Sequence, residues 1–529
     1  MIERIELLNA IGTALSSERD PVRLMEAILV GAKSLTGADG GTIYLFDEKD
    51  DSLRFEILRT DSLGIALGGT SGTEVTLPPV PLHHDDGSPN RESVVAYAVL
   101  EDKTVNLADA YRAKGFDFAG TRAFDRTTGY RSMSMLTVPM RNHDQEIIGV
   151  LQLLNAKAGD GDTTIPFSAF SQRLAESVAS QAAIALTRQE LMEDMEGLFE
   201  SFVRLIADAI DAKSPHTGGH CRRVPEIAML LADAASESEH ASLANFSLND
   251  VQRYELHIAA LLHDCGKITT PEWVMDKATK LQTVFDRVHL VETRYALLRQ
   301  RAEFDRERAV LAGTDPAEAE QHFQELLTEF AGEIEFLRTA NQGSEFMTAE
   351  AMARVRSIAA RRWVDHTGTE RSLLTEDEVD NLCIQRGTLN VREREIIQNH
   401  IVATINMLES LPYPKHLRQV PEYAGAHHER CDGKGYPRGL FQSDMSIPAR
   451  IMGIADVFEA LTAADRPYKK PMPMSQALTI LGRMAEEGHI DPDLFRVFVR
   501  REVWRAYGEA NMRSEQFDEV DIETLPGMK

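Results

Sequence analysis

The chain has 529 residues, 43% of them hydrophobic, 26% charged and 7% aromatic, a profile that excludes a fibrous or wholly disordered protein and predicts about two to four domains. Lys and Arg number 57 against 83 Asp and Glu, a net charge of −26, and such a field repels duplex nucleic acid and anionic lipid. The four cysteines, Cys221, Cys265, Cys383 and Cys431, form neither a CxxC pair nor a disulfide framework, as expected of a reducing cytoplasm.

The opening segment MIERIELLNAIGTALSSERD places Leu7, Leu8, Ile11 and Leu15 on one helical face. Acidic residues run through it where a signal peptide would have a basic start and an unbroken apolar core. No other stretch approaches the ~20 apolar residues of a membrane helix, so a cytoplasmic protein with no membrane partner is expected. GTIYLFDEKDDSLRFEILRT then reads as two strands around a DEKDD turn. Residues 62–93, rich in Gly, Pro, Ser, His and Asp, read as a long loop over a pocket or an edge. SMSMLTVPMRNHDQEIIGVLQLLNAK supplies two further strands, and FSAFSQRLAESVASQAAIAL returns to helical spacing. Helix, antiparallel strands and helix make an α+β sensor-like layout.

That order, with AYRAKGFDFAGTRAFDRTTGYRSMSMLTVPMRN and EIIGVLQLLNAK, resembles a GAF domain of the kind seen in cyclic-nucleotide phosphodiesterases, over residues 1–185. The resemblance implies a small-ligand site on the concave face of the sheet or a platform for dimerisation, without identifying a ligand. Residues 186–213 read as a helical linker in which Leu191, Met195, Leu198, Phe202, Leu205 and Ala209 alternate in steps of four and three. This stripe suits either the seam of a homodimeric coiled coil or packing on its own domain.

From residue 214 to about 510 the pattern is almost wholly helical, an all-α bundle. The charged stretch at about 290–385, with RQRAEFDRERAVLAG and FQELLTEFAGEIEFLRTA, reads as a solvated helical hairpin inserted into it, and 511–529 as a C-terminal tail.

The chemistry concentrates in the bundle. In AALLHDCGKI, His263 and Asp264 stand where the apolar run Ile258, Ala259, Leu261, Leu262 ends, beside Gly266. A carboxylate there is costly unless paired or bound to metal. His427 and His428 are adjacent in AGAHHERCDGKGYPRGL, ahead of Glu429 and Asp432, and burying both merely as core packing makes little sense. His220 opens HCRRVPEIAMLLADA, with Thr217 as a candidate cap. His400 lies in REREIIQNHIVATINMLESL and Asp456 in the apolar ARIMGIADVFEALTA. This oxygen and nitrogen set suits iron, manganese or another divalent ion and is too large for one tetrahedral zinc. Two ions sharing Asp264 would use it all. Arg222, Arg223, Lys267, Arg430, Lys434, Arg438, Arg450, Arg466, Lys469 and Lys470 recur beside these segments, predicting a local anion-binding cleft.

HDCGK, HHERCDGKGYP and IPARIMGIADVFEALTAADRPYK together resemble the HD-GYP domain, an HD phosphohydrolase variant that hydrolyses cyclic di-GMP, over residues 200–500. The resemblance implies a di-metal centre, often iron, held by His220, His263, Asp264, His400, His427, His428 and Asp456. It makes Asp264 and Lys267 catalytic residues and places Lys267, Arg466 and Lys469 on phosphate. Asp432, Gly433, Gly435, Tyr436 and Pro437 shape the cleft. His289 competes with His400 as the single-histidine ligand, and the lead-in RGTLNVREREIIQN favours His400. Some members add a glutamate and a third metal where this chain has His216, so two ions are expected. The implied product is linear pGpG, with cleavage on to GMP left open. A slow or non-catalytic cyclic di-GMP receptor, and an HD phosphohydrolase for another cyclic dinucleotide, are the competing readings.

Overall fold

The computed structural model describes residues 6–7, 9–13, 18, 20–159, 161, 163–213, 219–343, 346–463 and 472–529. Leu8, Leu15, His216, Thr217, Arg466, Lys469 and Lys470 lie outside the described residues. The chain divides into two compact units, residues 1–198 and 199–529.

In the first unit, Asp20 caps α1 (Pro21–Thr36) by accepting from the backbone N–H groups of Val22 and Arg23, and Pro21 stands at the first helical position. The sheet comprises β1 (Ala38–Asp47), β2 (Ser52–Thr60), β3 (Ile65–Gly68), β4 (Val80–Pro81), β5 (Val105–Leu107), β6 (Met135–Arg141), β7 (Ile147–Lys157) and β8 (Thr164–Ile165). Its order is β3-β2-β1-β7-β6-β5, with β4 paired to β2 and β8 to β7. Every pair is antiparallel. Two short helices, α2 (Val94–Leu100) and α3 (Ala119–Thr128), lie between strands.

Side chains alternate along a strand. Ile43 of β1 and Leu151 and Leu153 of β7 therefore join Leu24, Ile28 and Leu29 of α1 in one core. Ala175, Val178 and Ala182 of α4 (Ala169–Lys213) complete it. The intervening Thr42, Tyr44, Gln152 and Leu154 line a cavity of about 490 Å³ on the other face. Part of the predicted 62–93 loop forms β3 and β4, and Leu77, Pro78 and Pro79 cover this cavity.

The second unit packs the C-terminal part of α4, through Val203, Ala207 and Ile210, with α5 (His220–Ser236) and α6 (Asp250–Leu262). The inserted region follows. It holds α7 (Val288–Leu311), α8 (Pro316–Asn341), α9 (Ala349–Ala359), the hairpin β9 (Arg362–Val364) with β10 (Glu370–Ser372), and α10 (Glu376–Leu382). The bundle resumes with α11 (Val391–Glu409), α12 (Val420–Gly425), α13 (Ile447–Thr462), α14 (Met474–Glu486), α15 (Pro492–Arg500) and α16 (Val503–Asn511). Residues Leu525 and Met528 of the predicted tail belong to the bundle core.

The inserted region corrects the expectation of a solvated hairpin. It has its own core, in which Tyr295, Phe330, Leu337, Val355, Leu373 and Leu382 are buried. These residues come from α7, α8, α9, α10 and the segment just after β10, so the core closes only where these distant segments meet. The β9–β10 pair departs from the all-helical reading as well. Its strands have three residues each and are mostly exposed, too short for an alternating pattern to register.

Candidate metal centre

Three helix ends of the bundle and the middles of α11 and α13 converge on one pocket. The first residue of α5 is His220. His263 and Asp264 follow the last residue of α6, ahead of a 3₁₀ turn over Cys265–Thr269. That turn lies directly on α11. A Cβ at Gly266 would stand 2.0 Å from the His400 carbonyl oxygen and 2.4 Å from the Thr404 nitrogen. Only glycine allows the approach, and the Gly266 N–H donates to Thr404 Oγ1 at 2.9 Å. His427 and His428 come just after α12, and Asp456 lies on α13.

Three imidazoles are oriented in the same way. The Nδ1–H groups of His263, His400 and His427 donate to the carbonyl oxygens of Ala260, Ile397 and Ala424, at 2.7, 2.5 and 2.6 Å. This fixes the tautomer and turns each Nε2 lone pair into the pocket. His220 differs only in its partner, the buried Glu459 carboxylate, 2.5 Å from Nδ1. Glu459 also pairs with Arg223 at 2.7 Å.

The free ends meet at Asp264. Its Oδ2 lies 3.2 Å from His220 Nε2 and 3.3 Å from His263 Nε2, and Asp456 Oδ1 lies 3.3 Å from His220 Nε2. Its Oδ1 faces the other side, 3.3 Å from His400 Nε2 and 4.0 Å from His427 Nε2. Two groups of ligand atoms result, one from His220, His263 and Asp264 and one from His400, His427 and His428.

Within each group two Nε2 atoms stand 3.2 Å apart, His220 against His263 and His428 against His400. Facing lone pairs at that distance need a cation between them, either a proton or a metal ion. Asp264 Oδ1 and His427 Nε2 are buried and find no hydrogen-bond partner among the described residues. Buried polar atoms are rarely left so. The donor set of imidazole nitrogens and carboxylate oxygens suits divalent metal ions.

Electrostatics follow the same division. Burial opposes ionisation of Asp264, yet Lys267, His263 and His220 hold its carboxyl well below the usual carboxylate range. Burial opposes protonation of His220, but Asp264, Asp456 and Glu459 raise its pKa well above the usual imidazole value. His427 is held well below that value by burial and by the neighbouring His428 and His263. Burial pushes His428 down to about 4. Neutral His427 and His428 beside an ionised Asp264 are in the protonation states that bind metal, whereas His220 would have to release its proton to do so.

Lys267 Nζ lies 2.5 Å from Asp264 Oδ2. His289 sits on α7 with its side chain 73% exposed, 3.2 Å from Glu292, and does not join the pocket. Asp432 takes no part in ligation. It accepts two bonds from Arg430 at 2.9 and 2.8 Å and one from the Lys434 N–H, which closes the loop. The Tyr436 ring stacks on His428, with centroids 4.9 Å apart and planes 25° apart. A Cβ at Gly435 would meet the Arg430 nitrogen at 2.3 Å, so Gly435 brings this loop against the histidine pair. Gly433 turns the same loop with a positive φ of 76°, and Pro437 follows Tyr436 through a cis peptide bond.

The predicted anion cleft is corrected in part. Arg222 is paired with Asp208, Arg223 with Glu459, Arg430 with Asp432, and Arg450 with the buried Asp491. In a chain this acidic most cations near the pocket already hold a carboxylate. Glu459, which orients His220, and Glu429, which accepts the N–H groups of Arg438 and Leu440 at 2.8 and 3.0 Å, were not picked out as functional. Glu459 is one helical turn after Asp456 on the same face, and that i, i+3 spacing is the signal that would have found it.

The GAF domain family matches residues 20–186, and two HD domain families match residues 217–343 and 376–494. The chain is similar to a 3'3'-cGAMP-specific phosphodiesterase of Vibrio cholerae, 41% identical over 114 residues, which are 22% of this chain and 26% of that one. It is 51% identical over 75 residues to a cyclic di-GMP phosphodiesterase of Pseudomonas aeruginosa, covering 14% and 17% of the two chains. It is 30% identical over 220 residues to a cyclic di-GMP phosphodiesterase response regulator of Xanthomonas campestris, covering 37% and 53%. The chain thus spans about half or less of the length of these relatives. With HDCGK and HHERCDGKGYP brought to one pocket, the chain carries a GAF domain followed by HD domain segments.

Proposed function

We propose that the protein hydrolyses cyclic di-GMP to linear pGpG at a two-metal centre held by His220, His263, Asp264, His400, His427, His428 and Asp456. The observation that carries this reading is the buried Asp264, whose two oxygens face two separate groups of imidazole nitrogens. Divalent ions bound there, iron or manganese by donor type, would supply Lewis-acid activation of water and neutralise charge on the phosphate. Within the chain, Asp264 stays ionised and bridges, while Ala260, Ile397 and Ala424 keep three imidazoles in the ligating tautomer. Lys267 balances the bridging carboxylate and is the cation placed to meet a phosphate oxygen. Arg466 and Lys469 extend the phosphate contacts. Gly433, Gly435, Tyr436 and Pro437, held by Asp432 and Glu429, form the wall next to His428.

A second reading is favoured by the 3'3'-cGAMP specificity named for the Vibrio cholerae relative, namely that the same pocket takes this mixed cyclic dinucleotide. The test is protein loaded anaerobically with ferrous iron or manganese, given each substrate, with products separated by chromatography. Linear pGpG from cyclic di-GMP is expected. Cleavage of 3'3'-cGAMP alone would transfer the assignment to that substrate, and no linear product from either would leave a receptor.

In the same proposal the GAF domain regulates turnover through a small ligand in the 490 Å³ cavity, in a cytoplasmic protein. The exposed stripe Leu191, Met195, Leu198, Phe202 and Leu205 on α4 pairs two chains, with residues 186–213 as linker and 214–510 as the catalytic domain. Sedimentation should give a dimer that Leu198→Glu with Leu205→Glu dissociates.

A further inference from the structure

The last turn of α4 reaches both halves of the first ligand group. The helix α5 begins on Gly219, which has no side chain to cap it. The cap comes from Asp211 instead, whose carboxylate accepts from the Gly219 N–H at 3.0 Å and the Cys221 N–H at 3.4 Å. Asp211 is buried, and burial raises its pKa. Orphan N–H groups at a helix start are satisfied in this way by an oxygen acceptor.

Two residues later, Lys213 does the converse. Its ammonium donates to the carbonyl oxygens of Ile268 and Thr270, the latter at 2.8 Å, and approaches that of Lys267 at 3.4 Å. These carbonyls end the 3₁₀ turn that starts just after Asp264 and carries Lys267. One cation thereby holds the carbonyls at the end of this turn through charge-assisted bonds.

We infer that Asp211 and Lys213 are positioning residues for the metal centre, a two-point clamp in which one helical turn fixes the start of α5, with His220, against the turn that follows Asp264. Neither touches the ligand atoms. Together they set the backbone separation that puts His220 Nε2 3.2 Å from Asp264 Oδ2. The consequence for metal binding rests on the two-metal reading above, whereas the backbone consequence does not.

The experiment is hydrogen exchange by mass spectrometry on the full chain, as wild type, Lys213→Met, Lys213→Arg and Asp211→Asn, alongside iron titration of the metal-free proteins. Lys213→Met should speed exchange in peptides covering residues 265–271 and leave those of α14 to α16 unchanged. It should weaken iron binding about tenfold or more, the range seen when an outer-shell partner of a ligand is lost, and Lys213→Arg should restore most of both. Asp211→Asn should speed exchange at residues 219–222. Exchange at 265–271 that stays at the wild-type rate in Lys213→Met would overturn the clamp, as would a rise spread evenly over the whole second unit. Localised exchange with unaltered iron affinity would overturn its role at the metal centre. If no iron binds to wild type, the two-metal reading fails, and the exchange data alone decide the backbone clamp.

Discussion

The pocket and the junction of the inserted region both bury charge, and they do so to opposite ends. At the junction Lys277 is fully enclosed, and its ammonium meets both oxygens of Glu393 at 2.7 and 2.8 Å and Asn381 Oδ1 at 3.0 Å. All three ammonium donors are used, and Glu393 also completes the capping box that starts α11. In the pocket the carboxylate Asp264 keeps one oxygen unpaired, and imidazole lone pairs face each other. A satisfied buried network holds a fold together. An unsatisfied one with convergent ligand atoms is prepared to bind a cation. The two are joined by α11, which carries Glu393 at its start and His400 near its middle.

The comparison can be broken most sharply at Asp264. Asp264→Ala should reduce cyclic dinucleotide turnover to background, because both ligand groups lose the carboxylate that stands between them. Turnover near wild type under either metal would remove the distinction between the two regions. Lys277→Met tests the other side. It leaves the buried Glu393 without its counter-charge and should cost about 3–5 kcal/mol in urea unfolding of the second unit. A loss under 1 kcal/mol would mean that the junction is not the closed network described. Smaller in effect, Glu459→Gln leaves the pocket's ligands in place but weakens the acceptor on His220 Nδ1. Metal affinity should fall about 10–100-fold with the urea midpoint little changed, and an unaltered affinity would deny Glu459 its orienting role. Last, His289→Ala should alter neither metal content nor activity, and stability by at most about 0.5 kcal/mol, as for other exposed positions. Loss of a metal ion in that variant would restore His289 as a candidate ligand.

Much of the pocket was legible in the sequence because its residues stand in short, chemically marked runs. His263 and Asp264 close an apolar helix, two histidines are adjacent, and Asp456 interrupts an otherwise apolar face. The α+β layout of the first domain was legible for a similar reason, since β1 with β2 and β6 with β7 are apolar, β-rich runs of seven or more residues around polar turns. What escaped depends on pairing between distant segments. Glu459 looks like any helical acid until His220, 239 residues away, is placed beside it. Lys277 reads as a surface cation until Glu393 and Asn381 enclose it. The core of the inserted region escaped because Tyr295, Phe330, Val355 and Leu373 come from separate segments that meet only in the fold. The cations of the expected anion cleft were counted without their carboxylates, and the partners of Arg430 and Arg450, Asp432 and Asp491, were in view only as separate residues.

The most direct measurement is metal analysis of protein purified without oxygen, with Asp264→Ala treated identically and its fold checked by circular dichroism. Two iron or manganese ions per chain are expected in the wild type, and one or none in the variant. A wild-type chain with no stoichiometric metal, or a folded variant that keeps both ions, would contradict a centre bridged by Asp264.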